Sequence, residues 1–172
     1  MFRAFYPDRY TVSAYVIDFE ELYKKGYRGL IFDIDNTLVP HGAPADDRAI
    51  RLFERLKKIG FQCCLISNNK EPRVKMFNEK IQVAYVYNAH KPSKKNYIKA
   101  MEIMGTDQTN TLFVGDQLFT DVWGAKRVGI HNILVHPINP KEEIQIVLKR
   151  YLEKIVLHFY KKSKKRLKKV AN

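Results

Sequence analysis

The segment that most constrains this chain is a short apolar run that ends in two acids. Leu30, Ile31 and Phe32 predict a buried strand, because short apolar runs are typical of central strands. Asp33 and Asp35 follow this run directly. Unpaired charge inside a protein is costly, so we expect a cation to meet these carboxylates. Carboxylates there can ligate Mg²⁺, and one can attack phosphorus as a nucleophile, although the same residues also fit an ordinary turn.

Apolar runs alternate with helical patterns along most of the chain. The runs predict strands at residues 30–33, 61–66, 83–87, 111–114 and 130–135. Helix signals separate them: Asp46-Asp47 can cap a helix that Gly60 ends, and another helix is predicted over residues 118–128. This alternation predicts an α/β fold of the Rossmann-like type, a parallel sheet with helices on both faces. In such sheets, ligands bind beyond the carboxyl ends of the strands.

Length and composition fit one compact domain. The chain has 172 residues, of which 45% are hydrophobic, so it can bury a sizeable core. Residues 29–140 are predicted to form this core. Residues 1–28 are expected to pack on it, and residues 141–172 to form a basic amphipathic helix and tail.

Polar side chains follow the predicted strands at the edge where such a fold binds ligands. Alone, each has an ordinary explanation: Ser67 as a cap, Lys91 as a solvated loop lysine, Asp121 as a surface acid. Together they supply carboxylates, a hydroxyl and a cation, which suits phosphoryl transfer, because charge builds on oxygens in that reaction. In chain order the set is Asp33 and Asp35, then Ser67-Asn68-Asn69, His90-Lys91, Gly115-Asp116 and Asp121.

These residues resemble, in order, the four motifs of the haloacid dehalogenase (HAD) superfamily over residues 30–135. The motifs are Asp33-Ile34-Asp35-Asn36-Thr37, Ser67, Lys91 and Gly115-Asp116-Gln117-Leu118-Phe119-Thr120-Asp121. The resemblance implies that Asp33 is the nucleophile and forms an aspartyl-phosphate. It implies that Asp35 protonates the leaving alcohol and then activates water. The residues that it implies for binding the phosphoryl group are Ser67, Asn68, Lys91 and Thr37.

The resemblance also implies a Mg²⁺ cofactor. Its ligands would be Asp33, the backbone carbonyl of Asp35 and Asp116, with Asp121 supporting them. The chemistry agrees, because a carboxylate attacks a dianionic phosphate only when cations reduce the repulsion, so Mg²⁺ and Lys91 are both needed. An acid at Asp35 favours a phosphatase, because it serves an alcohol leaving group.

Most small-molecule enzymes of this superfamily carry a cap domain, and this chain leaves no room for one. Only the loop 39–45 follows the first motif, and the interval 67–91 holds one helix and one strand. We therefore predict a HAD-type sheet without a cap domain. An uncovered site favours a macromolecular or membrane-held substrate.

A narrower resemblance concerns the substrate. The segment Asp33-Ile34-Asp35-Asn36-Thr37-Leu38-Val39 looks like that of the subfamily IIIA, YqeG-type phosphatases, which are similar to the mitochondrial phosphatidylglycerophosphate phosphatases. This implies an anionic phospholipid substrate, phosphatidylglycerophosphate, dephosphorylated to phosphatidylglycerol at the membrane surface. A soluble nucleotide or sugar phosphate, a nucleic-acid end or a phosphoprotein would fit the same chemistry. A basic RNA- or ribosome-binding protein with a vestigial site is the alternative of another class.

The C-terminal segment carries most of the excess positive charge. After residue 140, eleven Lys/Arg against three Glu give +8 of the net +13, which suggests an anionic partner. The residues predicted to line one side of a helix are Ile144, Leu148, Tyr151, Leu152, Ile155 and Phe159. That helix fits docking on the domain, peripheral contact with an anionic membrane, or contact with nucleic acid. The aromatic stretch 155–160 favours lipid over nucleic acid.

The sequence shows neither a secretory signal nor a membrane-spanning run. Cys63 and Cys64 are adjacent in an apolar run, which indicates buried strand residues rather than a disulfide. We therefore expect a cytoplasmic protein that is soluble or peripheral at the membrane.

Overall fold

The computed structural model describes residues 2–139 and 144–170, with side chains for residues 2–139 and 149–165. Part of the basic segment predicted for residues 141–172 therefore lies outside the described residues. The same is true of the side chains of Ile144 and Leu148, two of the apolar positions predicted in that segment.

The described residues form one six-stranded parallel sheet, on which the fold is built. In chain order the strands are β1 (Arg9–Thr11), β2 (Gly29–Phe32), β3 (Gln62–Ile66), β4 (Ala84–Val86), β5 (Thr111–Gly115) and β6 (His131–Val135). Their order in the sheet is β1-β6-β5-β2-β3-β4. The chain thus moves outward from β2 in one direction, to β3 and β4, and later fills the other side with β5 and β6. Such a reversal next to β2 creates the crevice in which α/β proteins bind ligands.

Within the described residues, six α-helices connect and cover the strands. They are α1 (Phe19–Lys24), α2 (Asp47–Ile59), α3 (Glu71–Ile81), α4 (Lys94–Met104), α5 (Trp123–Arg127) and α6 (Ile144–Val170). The ends of α2 follow from local signals. The Asp46 carboxylate accepts the N–H of Ala49 at 2.9 Å, and Gly60 ends the helix with a left-handed φ of 108°.

Side chains of β2 alternate between two apolar cores. Leu30 and Phe32 face the core formed with α1, α2 and α3, whereas Ile31 faces the core formed with α4 and α5. All four residues of β2 are buried, which explains why this strand is a continuous apolar run in the sequence. Helices therefore cover both faces of the parallel sheet, and the predicted α/β fold is confirmed.

The N-terminal segment adds an edge strand that the sequence pattern did not locate. β1 pairs in parallel with β6. Asp8, just before β1, accepts hydrogen bonds from the backbone N–H of Asn132 at 3.0 Å and from its side-chain amide at 2.7 Å. The segment is therefore held in place by contacts across more than 120 residues of chain, which local patterns do not reveal.

The chain is helical over almost all of residues 118–128, as predicted, but in two parts. A π-helical turn over Leu118–Val122 comes first, and α5 follows it. Within this wide turn, the Asp121 carboxylate reaches back to accept the backbone N–H groups of Asp116 and Gln117, both at 3.1 Å. Such turns occur often at functional sites, because they re-aim single side chains.

α6 packs against this turn through one side only. Val156 joins a small apolar cluster with Leu118, Val122 and Leu134. The opposite side, which we call the outer side of α6, leaves four large apolar residues exposed: Tyr151, Leu152, Ile155 and Phe159. They lie on one side of the helix, as predicted. Among the described residues, no helix combines the length and the apolar character needed to cross a membrane.

Candidate active site

The carboxyl edge of the sheet gathers the predicted site residues. The residues that follow successive strands are Asp33 after β2, Ser67 after β3, Lys91 after β4 and Asp116 after β5. All four are buried, with between 3% and 7% of their surface exposed. Because β2 pairs in register with both β3 and β5, the residues just beyond these strands meet at one point.

Lys91 is a buried cation between two carboxylates. Its Nζ lies 2.5 Å from Asp33 Oδ1 and 2.7 Å from Asp121 Oδ1. Burial alone would lower the pKa of Lys91, but the charges of Asp121 and Asp33 outweigh burial and raise this pKa. Lys91 is therefore charged at neutral pH, and it offsets the negative charge of the predicted nucleophile.

Three buried carboxylates, Asp33, Asp116 and Asp121, form an acid cluster. One oxygen of each lies within 4.8 Å of the others. Thr37 Oγ1 lies 3.2 Å from an oxygen of both Asp33 and Asp116, so its hydroxyl hydrogen is directed at these carboxylates. Burial raises the pKa of Asp33 to about 6, against the lowering effect of Lys91. Burial, and then the charge of Asp33, raises the pKa of Asp116 well above its usual range.

Gly115 makes room for the acid cluster. A Cβ at this position would lie 2.4 Å from Asp121 Oδ2, so a larger residue would push Asp121 away. With Oδ2, Asp121 accepts the backbone N–H groups after β5, and with Oδ1 it binds Lys91. These contacts fit the supporting role predicted for Asp121.

Asp35 lies in a separate part of the site. Its Oδ1 accepts hydrogen bonds from the Gly42 N–H at 2.8 Å and from Arg73 Nη2 at 2.8 Å, and its Oδ2 accepts one from Asn69 Nδ2 at 2.8 Å. His41 Nδ1 is 3.9 Å from Oδ1. The Asp35 carboxylate is outside the acid cluster, so the metal role predicted for this residue concerns its backbone carbonyl alone. The sequence did not reveal the contacts of Arg73 or His41.

The loop after β3 is hydrogen-bonded to the loop after β4, which carries Lys91. Asn68 Oδ1 accepts the backbone N–H of Lys91 at 2.7 Å, so the Asn68 side chain positions this lysine. Ser67 Oγ accepts the backbone N–H of Asn69 at 3.1 Å, and the Ser67 hydroxyl hydrogen stays available for an acceptor. The phosphate-binding roles of Ser67 and Asn68 stay predictions.

α6 supplies two residues of the site, Arg150 and Glu153. The sequence predicted that they belong to an amphipathic helix, but it did not predict that they reach the site. Arg150 Nη1 donates to the backbone oxygen of Asp116 at 2.6 Å, and Nη2 donates to the Asp116 carboxylate. Glu153 accepts the Leu118 N–H at 2.7 Å and a hydrogen bond from Arg150 at 2.9 Å. The only sequence signal is an Arg and a Glu three residues apart on a helix, a pair too common to single out a site.

An open cavity of about 290 Å³ leads to the predicted nucleophile. Residues on its walls include Asp33, Asp35, His41, Ser67, Lys91 and Lys149. In residues 2–139, the two places where a cap domain would be inserted hold a loop before α2 and the short unit of α3 and β4. The predicted HAD-type fold without a cap domain is therefore what the structure has.

Known proteins identify the family. A HAD-hydrolase-like family model matches residues 88–137. The probable phosphatase YqeG of Bacillus subtilis is 36% identical over 159 residues, which are 92% of this chain and 92% of that protein. The chain therefore belongs to the HAD superfamily and, within it, to the family of YqeG phosphatases, as the motifs predicted. It is a phosphatase.

Two further proteins are similar to this chain, one in sequence and one in structure. Phosphatidylglycerophosphate phosphatase 1, chloroplastic/mitochondrial, of Arabidopsis thaliana is 28% identical over 158 residues, covering 80% of this chain and 45% of that protein. The crystal structure of a HAD phosphatase from Thermococcus onnurineus has a TM-score of 0.50 at 20% identity, covering 75% of this chain and 57% of that one. The structural likeness supports the fold alone.

Proposed function

We propose that this phosphatase removes the phosphomonoester of an anionic phospholipid, phosphatidylglycerophosphate, to leave phosphatidylglycerol at a membrane surface. The reaction would pass through an aspartyl-phosphate on Asp33, with Mg²⁺ as cofactor. One observation carries the chemistry: Asp33 lines an open cavity while a buried cation, Lys91, lies 2.5 Å from its carboxylate. A carboxylate so placed can approach a phosphate dianion, because the repulsion between them is reduced.

In the first step, a carboxylate oxygen of Asp33 attacks phosphorus. The new O–P bond forms as the P–O bond to the alcohol breaks, and the electron pair of that bond leaves with the alcohol oxygen. Although burial raises the pKa of Asp33 to about 6, the group is mostly ionised at neutral pH. The hydroxyl of Ser67 and the ammonium of Lys91 are the proposed donors to the phosphoryl oxygens.

Asp35 is the proposed acid and then base. Its carboxylate lines the same cavity as Asp33, and Arg73, Asn69 and Gly42 fix its orientation. In protonated form it gives its proton to the leaving alcohol oxygen. It then takes a proton from the water that attacks phosphorus, the bond to Asp33 breaks, and inorganic phosphate leaves.

The acid cluster fits Mg²⁺. Asp33, Asp116 and Asp121 offer hard carboxylate oxygens in one place, and among the described residues two largely buried cations, Lys91 and Arg150, pair with them. Burial is the main cause of the raised pKa values of Asp33 and Asp116, because it disfavours their charged forms. A divalent ion bound there would supply positive charge to the nucleophile and the phosphoryl oxygens. The proposed ligands are Asp33, the Asp35 carbonyl and Asp116, with Asp121 supporting them.

Three observations support a lipid substrate. The Arabidopsis relative is named for this activity. The cavity is open, so it can admit a headgroup that stays attached to a bilayer. The outer side of α6 exposes apolar residues, from 42% for Ile155 to 66% for Tyr151, and exposed lysines such as Lys161, Lys162 and Lys165 lie further along the helix. Apolar residues beside lysines fit an anionic lipid surface.

Phosphate release from phosphatidylglycerophosphate in mixed micelles tests the proposal, beside glycerol phosphate, nucleotides and sugar phosphates. We expect release from the lipid that depends on Mg²⁺, and a loss of at least about 10³-fold in Asp33→Asn. Asp47→Asn, an exposed acid at the start of α2, is the matched control and should behave as wild type.

Two outcomes would overturn parts of this proposal. Release confined to the soluble phosphates would remove the lipid substrate and keep the phosphatase chemistry. Equal rates for wild type and Asp33→Asn would remove the proposed nucleophile.

A further inference from the structure

One wall of the active-site cavity comes from α6. Lys149, near the start of this helix, lines the cavity together with Asp33 and Asp35. Its side chain is exposed, whereas Lys91 on the same cavity is buried. The cavity therefore has an inner cation and an outer cation.

The position of Lys149 is fixed by its neighbours on the helix. Arg150 binds both the backbone oxygen and the carboxylate of Asp116, and Glu153 binds the backbone N–H of Leu118. The side chains of Arg150 and Glu153 are only 15% and 7% exposed. This end of α6 is thus tied to the loop that follows β5, so Lys149 is held at the cavity and is not carried on a loose tail.

The deeper cations of the site already have carboxylate partners. Lys91 binds Asp33, and Arg73 binds Asp35. Among the residues whose side chains the structure describes, no carboxylate forms an ion pair with Lys149. A lysine held at the cavity without such a partner is available to an anion of the substrate.

We propose that Lys149 binds a second anionic group of the substrate, beyond the phosphoryl group that is transferred. This inference rests on the proposed function of the site. The transferred phosphoryl group has to lie against Asp33 and Lys91 in the buried part of the cavity, and the exposed Lys149 faces what extends outward from it. Lys149 therefore selects phosphomonoesters that carry a phosphodiester close by. A glycerol with a phosphomonoester at one end and a phosphodiester at the other, as in phosphatidylglycerophosphate, has this chemistry.

A binding role differs measurably from a general electrostatic effect. A lysine that only raises the local positive potential strengthens the binding of one-phosphate and two-phosphate ligands alike. A lysine that contacts the second anion strengthens the two-phosphate ligand alone. The ratio of the two affinities therefore tests the proposal.

We would measure this ratio by calorimetry in Asp33→Asn protein with Mg²⁺, which binds ligands without turnover. The probes are glycerophosphoglycerophosphate, the headgroup freed of its acyl chains, and sn-glycerol 3-phosphate. Adding Lys149→Ala should lower the ratio about tenfold, the loss expected for one charge-assisted hydrogen bond. Lys149→Arg should restore most of it. Lys154→Ala, an exposed lysine on the same helix that is not on the cavity wall, is the matched control.

The outcomes separate this inference from the proposed function. A ratio that Lys149→Ala leaves unchanged, because both affinities fall equally or neither falls, would overturn the inference. A tenfold lower ratio in Lys149→Ala would support it, even if wild-type protein hydrolysed the free headgroup and not the intact lipid. That last result would contradict the lipid substrate only, and it would indicate a soluble ester with two phosphates.

Discussion

The acid cluster and the outer side of α6 both hold side chains in surroundings that such side chains disfavour. In the acid cluster, buried charges have partners of opposite charge at hydrogen-bond distance, Lys91 for Asp33 and Asp121 and Arg150 for Asp116. On the outer side of α6, apolar side chains face solvent, although the Phe159 ring stacks on Phe2 at 5.8 Å between ring centres and contacts the ring of His158 at 5.7 Å.

The difference indicates what would complete each region. Most charges of the acid cluster are paired within the chain. A small cation bound together with a phosphate would complete this pairing. The outer side of α6 has few partners within the described residues, and exposed apolar patches often mark interaction sites in proteins. The acid cluster and α6 are joined at Arg150, which binds Asp116 from the packed side of the helix.

Removing the buried cation should have the largest effect on stability. Lys91→Met leaves Asp33 and Asp121 buried without their charge partner, so the free energy of unfolding should fall by about 3–5 kcal/mol. Urea unfolding in the presence of a chelator measures this. Lys95→Met, an exposed lysine at the start of α4, is the control and should change stability little. A loss below about 1 kcal/mol for Lys91→Met would mean that the cluster does not depend on internal pairing.

Removing Arg150, which joins α6 to the acid cluster, should have an intermediate effect on the free energy of unfolding. Arg150→Ala removes charge-assisted hydrogen bonds to Asp116 and should cost about 2 kcal/mol. Hydrogen exchange should become faster in the first turns of α6, because they lose this attachment to the loop after β5. Exchange that is the same in Arg150→Ala and in Lys154→Ala would show that apolar packing and the Glu153–Leu118 hydrogen bond hold the helix without Arg150.

Changing the outer side of α6 should alter binding to membranes and hardly alter stability. Leu152→Ser removes a half-exposed apolar side chain, and binding to phosphatidylglycerol vesicles should weaken about tenfold. Val12→Ser, which removes an exposed apolar residue elsewhere, is the control. Sedimentation with vesicles gives the affinity, and a thermal melt checks the fold. Equal vesicle binding by Leu152→Ser and wild type would assign the outer side to another partner.

The same two regions show how far sequence reasoning reaches. β2 and the acids after it were predictable, because a continuous apolar run followed by acids is a local pattern and parallel strands bring their carboxyl ends together. The limits of α2 were predictable for the same reason, from Asp46 and Gly60. The acid cluster therefore required only the order of strands and the residues just beyond them.

α6 was less predictable, because its role depends on tertiary contacts. The periodic apolar residues indicated a stripe, but periodicity does not say whether a stripe is covered. Arg150 meets Asp116 across 34 residues of chain, and nothing in its neighbours distinguishes it from a surface arginine. The sequence predicted a helix here but not its π-helical first turn, in which the Asp121 carboxylate accepts the backbone N–H groups of Asp116 and Gln117.

The central claim is that Asp33 itself becomes phosphorylated. Wild-type protein would be mixed with Mg²⁺ and a phosphate ester that it hydrolyses, and the reaction would be quenched in acid. Borohydride would then be added, because it reduces an aspartyl-phosphate to homoserine. Mass spectrometry of the peptides should then find homoserine at position 33, and none there in Asp33→Asn or without the ester. Phosphate release with homoserine at a different acid, or at none, would contradict the account.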